Sequence, residues 1–172
     1  MQKCDRMADG IVSKPNIIAR SKAIHAIPHQ PKHSMRSSAN VSMNLKRVLL
    51  ADDLAPVLTA VTALLGTSFD IVGTFSDGQS ALNAILELEP DLALLDISMP
   101  GKNGLEVARE LKNHASMTKI VFLTVHEDSD IIAACLSAGA LGYVFKGLMD
   151  SDLIPAMNDA LAGRVFVSHI SS

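Results

Sequence analysis

The feature that most limits what this chain can become is an alternation. From Arg47 onward, short apolar runs of strand length take turns with longer stretches of helical period, five of each. "RVLLA" ends at Asp52 and Asp53, and Val57, Val61, Leu64 and Leu65 follow at helical spacing, closed by Gly66. "FDIVGTF" reads as a second strand, and "DGQSALNAILELE" as a helix that Asp77 caps. "DLALLD" is the third strand, and "KNGLEVARELKN" a helix with Leu105, Ala108 and Leu111 on one stripe. "KIVFLT" ends at Thr124 and precedes "SDIIAACLSAGA", a helix ending near Gly139. "LGYVFK" ends at Lys146, and a last helix runs to about Ala162, where Pro155 predicts a late start or a distorted first turn. Strands with continuous apolar runs are buried on both faces, which implies a parallel sheet covered by helices on each side, an α/β fold.

The 172 residues suffice for one domain with a proper core and are few for two. A composition 48% hydrophobic and 19% charged is ordinary for a globular protein and excludes neither an enzyme nor a binding module. Apolar runs such as 131–136 and 92–95 fall far short of the roughly 18 residues a membrane span needs, so no membrane role is expected. Cys4 and Cys135 make neither a disulfide framework nor a metal cluster. Free thiols and the lack of a signal peptide predict a cytoplasmic protein.

Charge separates a tail from a body. Residues 1–46 hold eight Lys or Arg against Asp5 and Asp9, whereas residues 47–172 hold seven against sixteen acids. Residues 1–44 have no sustained period and are interrupted by Pro15, Pro28 and Pro31, so a disordered basic tail is expected there. His25, His29 and His33 recur every four residues, but the prolines argue against the helix that would align them on a metal. Without interleaved aromatics, a solvated tail is favoured over contact with nucleic acid or anionic lipid. A native start at Met35 or Met43 would leave the tail with no function to explain. The body is expected over 45–168, with 169–172 as a C-terminal end.

In open parallel sheets, ligands bind beyond the carboxyl ends of the strands where the topology reverses, so strand ends are the place to look. The first ends in Asp52 and Asp53, the third in Asp96, the fourth in Thr124 and the fifth in Lys146. One polar residue at a strand end is what turns require. Three carboxylates converging with a hydroxyl and an ammonium is a different matter. Carboxylates so placed repel and would hold protons at raised pKa, a conflict that a hard cation such as Mg²⁺ removes. A carboxylate beside Mg²⁺ can attack phosphorus to give an aspartyl-phosphate, and the transfer then needs cations and donors on the phosphoryl oxygens, the roles of Lys146 and Thr124.

"LLADD" (49–53), "LLDISMPGKNG" (94–104), "FLTVH" (122–126) and "AGALGYVFKG" (138–147) occur in that order. In these blocks the chain from about 46 to 168 resembles the receiver domain of two-component response regulators. The resemblance implies a flavodoxin-like fold, with five parallel strands in the order 2-1-3-4-5 and five helices. It implies that Asp96 is the phospho-acceptor, that Asp53 binds Mg²⁺ directly with Asp52 acting mostly through water, and that the Ser98 main-chain carbonyl completes the set. Thr124 and Lys146 resemble the switch hydroxyl and the phosphate-clamping lysine, and Tyr143 the aromatic that changes rotamer. Pro100, Gly101 and Gly104 would shape the acceptor loop, and Ser98 and His126 stand where the family tunes loss of the phosphoryl group. Gly147 after the lysine, with "LAGRVFVS" (161–168), resembles the NarL/FixJ branch, whose members usually continue into a DNA-binding helix-turn-helix. With Ser172 last, no DNA-binding domain is expected in this chain.

Plainer roles remain open for each residue: Asp52 or Asp53 as a helix cap, Thr124 as a β-branched strand residue, Lys146 as a solvated end, Tyr143 as a gap-filling aromatic. The implied partner is a sensor histidine kinase or phosphotransfer protein. The stretch 131–145 carries no charge, so the 128–146 face is a candidate contact for a homodimer or a downstream protein. Two other functions compete with a phospho-accepting switch. A phosphohydrolase passing through an aspartyl-phosphate is disfavoured because the haloacid dehalogenase type places a second aspartate where this chain has Ser98. An interaction module without phosphorylation is disfavoured by the complete acidic set.

Overall fold

The computed structural model describes residues 45–169; the expectations for the tail, its histidines and its start lie outside them. The elements in chain order are β1 (Arg47–Ala51), α1 (Ala55–Leu65), β2 (Asp70–Phe75), α2 (Gly78–Leu88), β3 (Leu92–Leu95), α3 (Gly104–Asn113), β4 (Lys119–Thr124), α4 (Ser129–Ser137), β5 (Gly142–Phe145), α5 (Met149–Leu161) and β6 (Phe166–Val167). All strand pairs are parallel, in the order β2-β1-β3-β4-β5-β6. The order 2-1-3-4-5 therefore holds, with a sixth strand added beyond β5.

Alternation along each strand builds two cores, because successive side chains point to opposite faces. Leu49, Leu95, Phe122 and Tyr143 face α2, α3 and α4, meeting Ile85, Val107, Leu111 and Cys135. Val48, Leu50, Leu94 and Val144 face α1 and α5, meeting Val61, Leu65, Leu153 and Met157. Each large apolar side chain so buried contributes about 1.5–3 kcal/mol. The central strands are consequently buried nearly throughout, while the edge strand β2 has no fully buried residue.

Helix starts follow local chemistry. Asp77 accepts from the Ser80 N–H at 2.8 Å, and Asn103 forms a reciprocal capping box with Glu106. The N-cap of α1 is Leu54, with no side-chain cap and Pro56 in the first turn. Neither Asp52 nor Asp53 is that cap, although Asp52 Oδ1 accepts from the Leu54 N–H at 2.9 Å.

Two expectations need correction. Among the described residues the sheet has six strands, because the two residues Phe166–Val167 pair with β5 through Gly142 and Tyr143. A pair of residues is too short to show a strand period. Of the two expectations for the last helix, the late start fails and the distorted entry holds: α5 begins at Met149, entered through a 3-10 turn over Lys146–Leu148, with Pro155 in its interior. Burial of Leu153, Ala156, Met157 and Ala160 holds the helix together across the missing proline N–H.

Candidate functional site

The strand order reverses around β1, with β2 on one side and β3 on the other, and the acidic residues converge at the carboxyl ends beside this point. Asp52, Asp53 and Asp96 each offer a carboxylate oxygen within 4.8 Å of the others. Asp52 and Asp96 are 4% and 3% exposed, whereas Asp53 faces solvent. β1 and β3 are adjacent and in register from Val48↔Leu92 to Ala51↔Leu95, so the residues that follow them must lie side by side.

Lys146 reaches this group from the end of β5. Its Nζ is 2.7 Å from Asp52 Oδ2 and 3.3 Å from Asp96 Oδ1. Neither approach has hydrogen-bond alignment, so these two buried oxygens carry an ion-pair partner by distance but no hydrogen-bond donor. One ammonium thus faces two buried carboxylates. Burial pushes the Asp52 carboxyl above its ordinary value; Lys146 and the Leu54 N–H pull it back, and the Asp96 charge adds to the rise.

The arrangement fits a hard divalent cation. The donors are all oxygen, two are buried without a hydrogen-bond donor, and the exposed Asp53 leaves a side open for water ligands. The loop after Asp96 keeps that side clear. Ser98 N–H donates to Asp96 Oδ2 at 3.0 Å, and Gly104 N–H returns to the Ile97 carbonyl at 3.0 Å. A Cβ on Gly104 would lie 2.0 Å from the Asp96 carbonyl oxygen, so only glycine permits this fold-back, while Gly101 takes the left-handed turn at φ +74°.

Thr124 is fully buried at the end of β4, and its Oγ1 accepts from the His126 N–H at 3.3 Å. Tyr143 is also fully buried, packed edge-on against Phe145, and its hydroxyl donates to the His126 carbonyl at 2.9 Å. Burial is the main reason its phenol is pushed far above its ordinary value. The His126 ring closes the network, with Nε2 2.7 Å from Ser98 Oγ. Eight residues singled out in the sequence, Asp52, Asp53, Asp96, Ser98, Thr124, His126, Tyr143 and Lys146, are therefore brought together toward one edge of the sheet. The Ser98–His126 bridge was not foreseen: these residues are 28 apart in sequence and share no motif.

This fold and site define a class, a doubly wound α/β protein with an acidic, lysine-flanked pocket at the carboxyl edge of its sheet. The chain belongs to the response regulator receiver domain family, whose description it matches over residues 48–158. It is 36% identical over 123 residues to the nitrate/nitrite response regulator protein NarL of Escherichia coli (strain K12), a match covering 70% of this chain and 57% of NarL. The chain thus spans little more than half the length of that curated relative. Among solved structures, the signal receiver domain of the putative response regulator NarL from Mycobacterium tuberculosis superposes with a TM-score of 0.67 at 31% identity, covering 70% of this chain and 98% of that one. The isolated receiver domain of RcsB from Salmonella enterica serovar Typhimurium, solved with phosphomimetic BeF3-, gives a TM-score of 0.67 at 27% identity, covering 73% and 95%. The fold is the flavodoxin-like receiver fold. Among the described residues, no helix is long and apolar enough to cross a membrane.

Proposed function

We propose that this chain is a phospho-accepting switch in two-component signalling, which takes a phosphoryl group on Asp96 from a phosphohistidine of a sensor kinase or phosphotransfer protein, or from a small phosphodonor. The observation that carries the proposal is the pair of buried carboxylate oxygens on Asp52 and Asp96 that share one ammonium and lack hydrogen-bond donors. Such a cluster is poised for a ligand that supplies positive charge. Asp53, Asp96 and the Ser98 carbonyl would hold Mg²⁺, with Asp52 reaching it through water, and the bound ion would neutralise the carboxylates and the transferring phosphoryl group.

The chain's own groups do the rest. An Asp96 carboxylate oxygen forms the new O–P bond while the P–N bond breaks and its electron pair stays with the departing imidazole nitrogen. Lys146 stands where its ammonium balances charge on the phosphoryl oxygens, and the Thr124 hydroxyl donates to one of them. Thr124 Oγ1 can donate its proton to the phosphoryl group while still accepting from the His126 N–H, so its movement would draw the β4–α4 loop with it, and Tyr143, bonded to the His126 carbonyl, reports the move. Contact with a second copy or a downstream protein through the 128–146 face belongs to the same reading; it is supported by α4 burying only Cys135. A modified protein that sediments as a free monomer, and that loses no partner when a charge is introduced at Leu136, would remove that contact.

The test is intact mass after incubation with Mg²⁺ and acetyl phosphate. One phosphate should be gained, lost on chelation of the metal, and absent in Asp96→Asn. Sustained phosphate release would instead make the protein a phosphohydrolase, and no adduct from any donor would leave an interaction module.

A further inference from the structure

The phospho-accepting role leaves one buried serine unused among the described residues, on the β6 side of β5. Ser168, only 4% exposed, follows β6 and makes three hydrogen bonds. Its N–H donates to the Tyr143 carbonyl at 2.9 Å. Its hydroxyl donates to Asp152 Oδ2 at 2.6 Å and accepts from the Phe145 N–H at 3.4 Å. Asp152 is fixed in turn by the Ser151 hydroxyl, which donates to Oδ1 at 2.7 Å. One side chain thus ties the end of β6 to β5 and to the first turn of α5.

The neighbouring residues are held less firmly than those of the central strands. Val165 is 59% exposed, Phe166 and Val167 are half-buried, and β6 is two residues long. Its attachment combines partial apolar packing, of Val167 against the core under α4 and of Phe166 against the core under α5, with the Ser168 bonds and the Phe166 N–H to the Leu141 carbonyl at 2.9 Å. A two-residue strand whose apolar side chains are only partly buried opens at lower cost than the central strands, whose side chains are buried fully. The longest of the Ser168 bonds is the one to Phe145, the residue directly before Lys146.

Resting on the switch reading, we propose that Ser168 is a clasp that couples the chain leaving β6 to the state of Asp96. In this structure the Lys146 ammonium sits nearer Asp52 than Asp96. A phosphoryl group on Asp96 adds negative charge and new acceptor atoms beyond Asp96, and draws the ammonium off Asp52. The backbone at Phe145–Lys146 follows, the already long Phe145–Ser168 bond breaks first, and residues 164–169 loosen. The differential contact that drives the shift is the Lys146 pairing, and the two-state element is the clasp.

Residue-resolved amide hydrogen exchange, run beside intact mass on the full chain, tests this. With Asp96 fully modified, exchange at the Phe166 and Ser168 amides should rise several-fold in the wild type. Ser168→Ala and, independently, Asp152→Ala should raise exchange there before any phosphodonor is added and leave little further response; Ser168→Thr, which keeps the hydroxyl, should restore it. Full modification with unchanged exchange at these amides overturns the clasp while leaving the switch intact, as does a Ser168→Ala protein that responds like the wild type. A protein that gains no phosphate overturns the switch reading and the clasp with it.

Discussion

The two ends of the parallel sheet treat the same side chain in opposite ways. At the amino edge, Asp91 accepts from Lys46 Nζ at 2.8 Å and from the Arg47 N–H at 2.9 Å. The Lys46 ammonium foremost, with the Arg47 N–H, holds the Asp91 carboxyl below its ordinary value. At the carboxyl edge, burial pushes Asp52 the other way, and one lysine serves two buried acids. Asp91 is a fastener whose charge is matched by neighbours. Asp52 and Asp96 are mismatched until something else arrives. Volume does not reveal this difference: a cavity of about 540 Å³ lies at the amino edge, lined by Lys46, Asp91, His114 and Met117, away from the acid cluster. Satisfaction of charge distinguishes the ends better than size does.

The contrast is sharpest in its response to metal. Mg²⁺ at about 100 times its dissociation constant should stabilise the fold by about 2.7 kcal/mol. Asp53→Asn, at an exposed position that leaves the core untouched, should remove most of that gain, and Asp91→Ala none of it. Thermal melts with and without the metal check this, and a gain that survives Asp53→Asn would break the assignment of the acidic edge.

Without metal, the two ends should answer neutralisation with opposite signs. Asp96→Asn relieves repulsion beside Asp52 while Lys146 keeps its closer partner, so stability should rise by about 0.5–2 kcal/mol. Asp91→Ala removes two hydrogen bonds at a partly exposed site and, after solvent screening, should cost about 0.5–1 kcal/mol. Urea unfolding of both variants decides it; the same sign for both would mean that the site is not strained.

A smaller effect should appear in acid. The carboxyls of Asp77, Asp91 and Asp152 are each held below their ordinary value, by the Ser80 N–H, the Lys46 ammonium and the Ser168 hydroxyl respectively. Groups depressed in this way give stability that is complete above the unfolded-state pKa of about 4 and is lost as pH falls through the folded value. The unfolding midpoint should therefore drop on acidification below about pH 4, and less steeply in Asp91→Ala. A midpoint indifferent to that window would deny these carboxyls their role.

Much of the fold was legible because its signals are local. Continuous apolar runs gave β1, β3, β4 and β5 to within a residue, and Asp77 and Gly66 marked helix ends where they stand. The misses share a cause. β6 and the interior place of Pro155 depend on what the segment packs against: β6 on the free edge of β5, and α5 on the core that buries Leu153 and Met157. The Ser98–His126 bond joins two loops and the Ser168–Asp152 bond joins the end of β6 to α5, pairs that no spacing rule connects.

The sequence by itself determined which residues end the strands, because strand length and burial are written in runs of apolar side chains. It therefore named Asp52, Asp53, Asp96, Thr124 and Lys146 as candidates, and the motifs they sit in named the family. Only the tertiary structure decided that Lys146 lies between two buried carboxylates, that Tyr143 is turned inward onto the His126 carbonyl, and that Ser168 fastens β6 to β5. Those are distances between residues far apart in the chain. They are fixed by strand order, register and the packing of helices on each face, and a local pattern carries none of that information.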